Sequence, residues 1–156
     1  MTDFRDRAAA DEGVQVIAFR IGGEMHACDV LLVQEVVTKQ AIHRLPDMPG
    51  HLLGVLRLRG ELVPVVDVAP ALELRLEAGH TPAVLVADTE HGRVGVAAEA
   101  VHEVVNVPPG AFRPAPTTDR GGHLVGVARV GADLINLIDL AEILRDQATL
   151  HHGETN

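Results

Sequence analysis

The sequence predicts a mostly β fold in which two small barrels pack together. Three features lead to this expectation: short apolar segments bounded by turn residues, an internal duplication that runs in order, and the open edges that a small sheet would otherwise expose. Residues 14–21 alternate with apolar side chains on both faces, as in a strand buried on both sides. Gly22-Gly23 then reads as a hairpin turn and residues 25–28 as the return strand. Further strands are expected at 54–58, 62–66, 83–88, 94–97, 124–130 and 134–138. Short helices are expected at 30–36, 70–76, 98–104 and 140–147. Asp29 and Asp139 are placed to cap two of them, because a short side-chain oxygen can accept from the first free amides.

The duplication has two parts. Val16 falls on Val84 at an offset of 68, which lays Val33, Glu35, Val36 and Val37 on Val101, Glu103, Val104 and Val105. His51 falls on His123 at an offset of 72. Gly54, Arg57, Leu62, Asp67 and Leu72 then meet the same residue types at Gly126, Arg129, Leu134, Asp139 and Leu144. Each copy reads as a hairpin, a short helix, a connecting strand, a second hairpin and a closing helix. A sheet of about five short strands has open edges, and closing it into a barrel removes them. The first strand need not stay in its own barrel. The expected layout is a flexible N-terminus over 1–13, one domain over 14–148 and a flexible tail over 149–156. Within the domain, one unit covers about 21–80 and the other about 81–140, with 14–20 free to be shared between them.

Composition removes whole classes of function. Asp and Glu outnumber Lys and Arg by 22 to 13, there is no Trp or Tyr, and only three Phe are present. Nucleic-acid binding wants clustered cations and stacking aromatics, so it is not expected, and neither is a basic membrane patch. No segment reads as a signal peptide or a membrane span, which points to a cytoplasmic protein. The chain contains no serine, no Gly-Lys-Ser/Thr phosphate loop and no H-E-x-x-H. Cys28 is alone and reads as a small buried apolar residue. The nine histidines show no i,i+4 spacing; His102 with Glu99 or Glu103 would make a weak helical metal site at best. His151 and His152 read as solvated. The expectation is therefore no catalysis, no metal and no cofactor.

Features kept in both copies should serve the barrels: Gly54 and Gly126, Asp67 and Asp139. Features in one copy can serve a partner. The first copy has Leu58-Arg59-Gly60 at a hairpin tip where the second has Val130-Gly131-Ala132. Gly60 lets the turn reach the backbone angles that aim the Arg59 side chain. Glu35 is the one charge in the apolar run 30–37 and is the candidate carboxylate for the guanidinium fork of Arg59. Val30, Val33 and Val36 in that run would present an apolar surface, of the kind that marks an interface.

These segments resemble the CheW family of chemotaxis coupling proteins. The most specific parts are residues 29–36, Asp-Val-Leu-Leu-Val-Gln-Glu-Val, and 54–60, Gly-Val-Leu-Arg-Leu-Arg-Gly, running on into 61–68. The Pro108-Pro109 turn, the stretch 113–116 and residues 134–140 fit as well. The resemblance implies two intertwined five-stranded SH3-like barrels with a groove between them. It also implies two partners: the cytoplasmic tip of a chemoreceptor, bound in that groove by residues matching Val30, Val33, Glu35, Val36 and Arg59, and the regulatory domain of a CheA-type histidine kinase, docked barrel to barrel. It further implies recruitment to receptor arrays at the inner membrane. His26 stands where the family often has tyrosine, Arg57 where it has asparagine, and Ala69 where it has arginine. The leading expectation is an adaptor that couples receptor to kinase. A second is a free-standing domain that localises or competes with array components in a parallel pathway. A third is a small ligand-binding barrel, which would need converging polar groups in a closed pocket.

Overall fold

The computed structural model describes residues 3–44, 46–77, 79, 81–116 and 119–154, with the side chains of 119 and of 148 onward outside the description. Eleven strands and two helices follow one another as α1 (Phe4–Ala9), β1 (Val14–Ile21), β2 (Glu24–Asp29), β3 (Val33–Val37), β4 (Leu52–Leu58), β5 (Glu61–Val66), β6 (Ala83–Thr89), β7 (Gly92–Ala98), β8 (Ala100–Val107), β9 (Phe112–Pro114), β10 (Leu124–Val130), β11 (Asp133–Ile138) and α2 (Leu140–Glu154). Single 3-10 turns sit at Val30–Leu32 and Pro70–Leu72.

The strands form two sheets of orders β8-β1-β2-β11-β10-β9 and β3-β6-β7-β5-β4. The first hairpin of each repeat therefore completes the sheet of the other. β2 joins β11 through a short parallel ladder in which Leu137 faces Ala27, and β7 joins β5 through one in which Val65 faces Gly95. Shifting Ala27 by 68 and Val65 by 72 converts one contact into the other, so the duplication holds in register as well as in sequence. The bulges repeat too: Leu52/Gly54 in β4 matches Leu124/Gly126 in β10.

The mostly β, two-barrel class is as expected, with three differences of detail. One sheet has six strands and the other five, and among the described residues no ladder joins the end strands of either sheet. The chain closes them instead. After β3 it bends so that His43 bridges Val55 in β4, and after β8 it turns at Pro108–Gly110 into β9, which pairs with β10. Second, the exchange is larger than a shared first strand, because the whole of β1 and β2 lies in the sheet of the C-terminal repeat. Third, the expected helices at 30–36 and 98–104 are wrong. The first is a three-residue 3-10 turn followed by β3, and the second is β8. Valine supplies three of the five residues of β3 and four of the eight of β8, and β-branched side chains fit a pleated edge better than a helix. The apolar residues that seemed to surround a helix are divided between two faces of a strand.

Among the described residues, buried side chains form three cores. One lies between the sheets and draws on both, with Phe19, Ile21, Cys28 and Ile138 from one and Val66, Leu85 and Val96 from the other. Each sheet also encloses its own cluster. Glu99, at the turn from β7 to β8, ties the halves together by accepting from the backbone N–H groups of Gly22, Gly23 and Glu77 at 2.8–3.0 Å. Burial pushes its carboxyl pKa up, but these three donors outweigh that and hold it below the usual carboxylate range.

The stretch expected as a flexible N-terminus carries α1. Asp3 caps α1 through the Asp6 N–H, and Phe4 and Ala8 are buried in the cluster of the six-stranded sheet. A one-turn helix too short for a periodicity signal still docks when two side chains on one face find a core. Arg5 fastens it by donating to Asp139 Oδ2 (3.0 Å) and to the Gly122 carbonyl (2.8 Å). At the other end α2 runs to Glu154, past the expected stop at 147. His80, His151 and His152 have side chains outside the described residues.

Gly54 and Gly126 sit where the closing segments press on the sheets. A Cβ on Gly54 would stand 2.4 Å from the His43 carbonyl oxygen, and one on Gly126 would stand 2.4 Å from the Arg113 carbonyl oxygen. Backbone cannot yield cheaply at that distance, so Gly54→Ala and Gly126→Ala should each lower the unfolding free energy by about 1–3 kcal/mol. Gly50→Ala, with nothing within 4 Å, should stay within about 0.5 kcal/mol of wild type in the same urea titration.

His26 is fully buried against Phe19, with Nδ1 on the Glu24 carbonyl and no hydrogen-bond partner for Nε2. Burial lowers its pKa below the ordinary 6.5. The unfolded chain therefore takes up a proton that the folded chain refuses, and stability falls as pH drops below about 6.5. Denaturation at pH 7.5 and pH 5.5 should show this loss, and His26→Gln should flatten it; an unchanged slope in the variant would assign the loss elsewhere.

Candidate functional site

Asp29 ends β2 and its Oδ1 accepts the Leu31 N–H at 3.1 Å, capping the turn that carries Val30 and Leu31. The chain enters β3 directly from this turn. β3 is an end strand of its sheet, paired with β6 on one side. Val33 packs against the inter-sheet core and Val37 against the cluster within the five-stranded sheet, whereas Gln34 and Val36 face outward, Val36 with 38% exposure. Glu35 is half-buried between them.

Arg59 sits on the two-residue β4–β5 turn, where Arg59 and Gly60 both have positive φ, 49° and 83°. That is the left-handed pair a tight hairpin needs, and it costs an arginine more than it costs a glycine. The turn aims the guanidinium at β3. Nη1 donates to Glu35 Oε1 at 2.8 Å and Nη2 to Glu35 Oε2 at 2.6 Å, a fork-to-fork pair. The hydrogen bonds and charge of Glu35 raise the arginine's pKa. The Arg59 side chain is 67% exposed, so the pair serves the surface more than the fold.

The structure thus joins Glu35 to Arg59 as the sequence suggests, on a strand rather than a helix. Val36 lies beside them in sequence, and Val30 stands one turn earlier on the 3-10 segment. Of the five expected site residues, Val33 is partly buried and packs against the inter-sheet core. Asp67 and Asp139 act at equivalent corners: their N–H groups donate to the carbonyls of His51 and His123, and their carboxylates accept from Ala69 and Glu142.

Among the described residues, Leu31, Leu62, Val104 and Leu134 are also exposed apolar side chains, beyond the expected site residues. Leu62 and Leu134 are equivalent in the two repeats, which was a usable signal. The His102 grouping does not form, since residues 100–107 are a strand and Glu99 is taken up by backbone. Instead, His123, Glu142 and Asp146 bring ligand atoms within 4.8 Å of one another. Their own bonds explain the arrangement: His123 Nδ1 donates to Glu142 Oε1 at 2.9 Å, and Arg5 reaches the same oxygen at 3.4 Å.

Cys28 is not set up as a nucleophile. Burial, then the neighbouring Asp29 charge, raises the Cys28 thiol pKa and keeps it protonated. An apolar recess of about 360 Å³ lies between α2 and the five-stranded sheet, with Leu32, Leu52, Val66, Val94 and Leu144 in its lining. It shares no residue with the Glu35–Arg59 site. Among the described residues, no helix is long and apolar enough to cross a membrane.

A family profile described as the CheW-like domain matches residues 15–148. The chain belongs to the CheW family. Chemotaxis protein CheW of Rhizobium meliloti is 29% identical over 135 residues, covering 84% of this chain and 87% of that one. The CheW of Treponema pallidum is 24% identical over 144 residues, covering 87% and 85%. Protein FrzA of Myxococcus xanthus is 28% identical over 150 residues, covering 90% and 92%. The crystal structure of the scaffolding protein TtCheW from Thermoanaerobacter tengcongensis superposes with a TM-score of 0.70 at 24% identity, covering 83% of this chain and 91% of that one. That likeness supports the two-sheet CheW fold. The match begins at residue 15, so α1 precedes the family domain.

If the Arg59–Glu35 fork serves the surface, Arg59→Ala should leave the thermal midpoint within error of wild type. Val33→Asp should lower it by several degrees, because it drives a charge toward the core.

Proposed function

We propose that this chain is a non-catalytic adaptor that couples chemoreceptors to a CheA-type histidine kinase. The observation that carries the reading is the Arg59–Glu35 fork, next in sequence to exposed Val36, built in the first repeat and absent from the second, where Gly131 replaces the arginine. A duplicated scaffold that keeps its glycines and aspartates in both copies but one charged clamp in one copy has a partner on that side. A receptor helix would lay its apolar side chains on Val36 and on the Val30–Leu31 turn, with the clamp fixing its register. The kinase regulatory domain needs separate surface, and exposed Leu134 on the other sheet offers some. Adaptor function requires no chemistry, in keeping with the buried, protonated thiol and the absence of serine. Such a protein would act in the cytoplasm at receptor arrays.

Val36→Asp is the clean probe, because Val36 is exposed where Val33 is not. It should reduce affinity for a receptor-tip fragment by tenfold or more and leave binding of the kinase regulatory domain unchanged. Loss of both with the fold intact would contradict separate surfaces. In a double-mutant cycle on receptor affinity, Arg59→Ala and Glu35→Ala should be less than additive, since either one breaks the fork. Binding to the kinase alone would instead favour the competing, non-coupling domain.

A further inference from the structure

We infer that the recess between α1 and the Val30–Leu32 turn is an acidic extension of the receptor-facing surface, which takes a lysine or arginine of the bound helix. The inference rests on the receptor reading above and adds the chemistry of the partner. α1 lies before the family domain, yet it is held firmly against it. Phe4 and Ala8 are buried, Arg5 bonds to Asp139 and Gly122, and Arg7 forms an ion pair with Asp29. The last contact matters most for the site. Asp29 Oδ1 caps the turn at Leu31 while Oδ2 receives Arg7, so α1 and the turn that presents Leu31 are fixed by one carboxylate.

The recess has a volume of about 480 Å³ and is walled by α1, the start of β1 and the turn. Leu31 supplies an apolar wall that is 78% exposed. Asp6 and Glu12, both exposed, supply two carboxylates, and Arg7, the cation in the lining, is spent on Asp29. An apolar wall beside uncompensated negative charge, continuous along the chain with Val33–Val37, fits a helix that bears a basic residue next to its apolar ones.

The test uses the full-length chain, a receptor signalling-tip fragment and a kinase regulatory-domain fragment from the same organism. Asp6→Asn with Glu12→Gln changes exposed carboxylates without adding bulk, so the fold should be retained. The double variant should bind the receptor fragment about 3- to 10-fold more weakly at low salt. The difference should shrink by 0.5 M salt, because exposed charges are then screened. Kinase-fragment affinity should not change, and Asp88→Asn with Glu90→Gln, the same charge change on the β6–β7 hairpin, should leave receptor affinity unchanged. Wild-type receptor affinity in the Asp6/Glu12 variant, with Val36→Asp still abolishing binding, would overturn the acidic extension and leave the receptor reading standing. Normal receptor binding by Val36→Asp would overturn the receptor reading, and this inference with it.

Discussion

The structure depends on the reciprocal exchange of hairpins between the two repeats. β2 must lie on β11 and β7 on β5, and each contact is a parallel ladder only a few residues long. Parallel strands cannot be joined by a tight turn, so the chain must leave one sheet, cross and return. The crossings are β2 through the Val30–Leu32 turn into β3, and β7 into β8. Neither half holds a complete sheet by itself, and the core between them is built from both. Cooperative folding of one unit follows from that arrangement.

The same constraint places the site. β3 begins where the chain leaves one sheet for the other, so its first residue is drawn into the shared core while its outward residues stay at the surface. An end strand with alternating burial is well suited to present a few side chains in fixed order. The Arg59 turn from the neighbouring hairpin completes it without borrowing anything from the core. The surface residues of this strand and turn can therefore differ between the repeats while the glycines and aspartates at the bulges and corners remain in both.

Much of this was legible in the sequence because the duplication carries information that periodicity lacks. Matching His51 to His123 located both second hairpins, and the odd turn at Arg59 stood out only against Gly131. Glu35 was recognisable as its partner because it is a lone charge in an apolar run. The segments misread as helices failed for a physical reason: with apolar residues on nearly every position, the run 30–37 fits both periods, and only tertiary pairing with β6 decides between them. α1 was hidden because its burial rests on two side chains, Phe4 and Ala8, in an otherwise polar stretch. Glu99 was unreadable because its three partners are backbone groups distant in sequence.

The central claim is that this chain couples two partners without chemistry of its own. Reconstitution of the cognate kinase with a receptor-tip assembly, with and without this protein, tests it most directly. The account predicts kinase activity that responds to receptor only when all three components are present. Full receptor control of the kinase in the absence of this protein, or no change upon adding it, would contradict the claim.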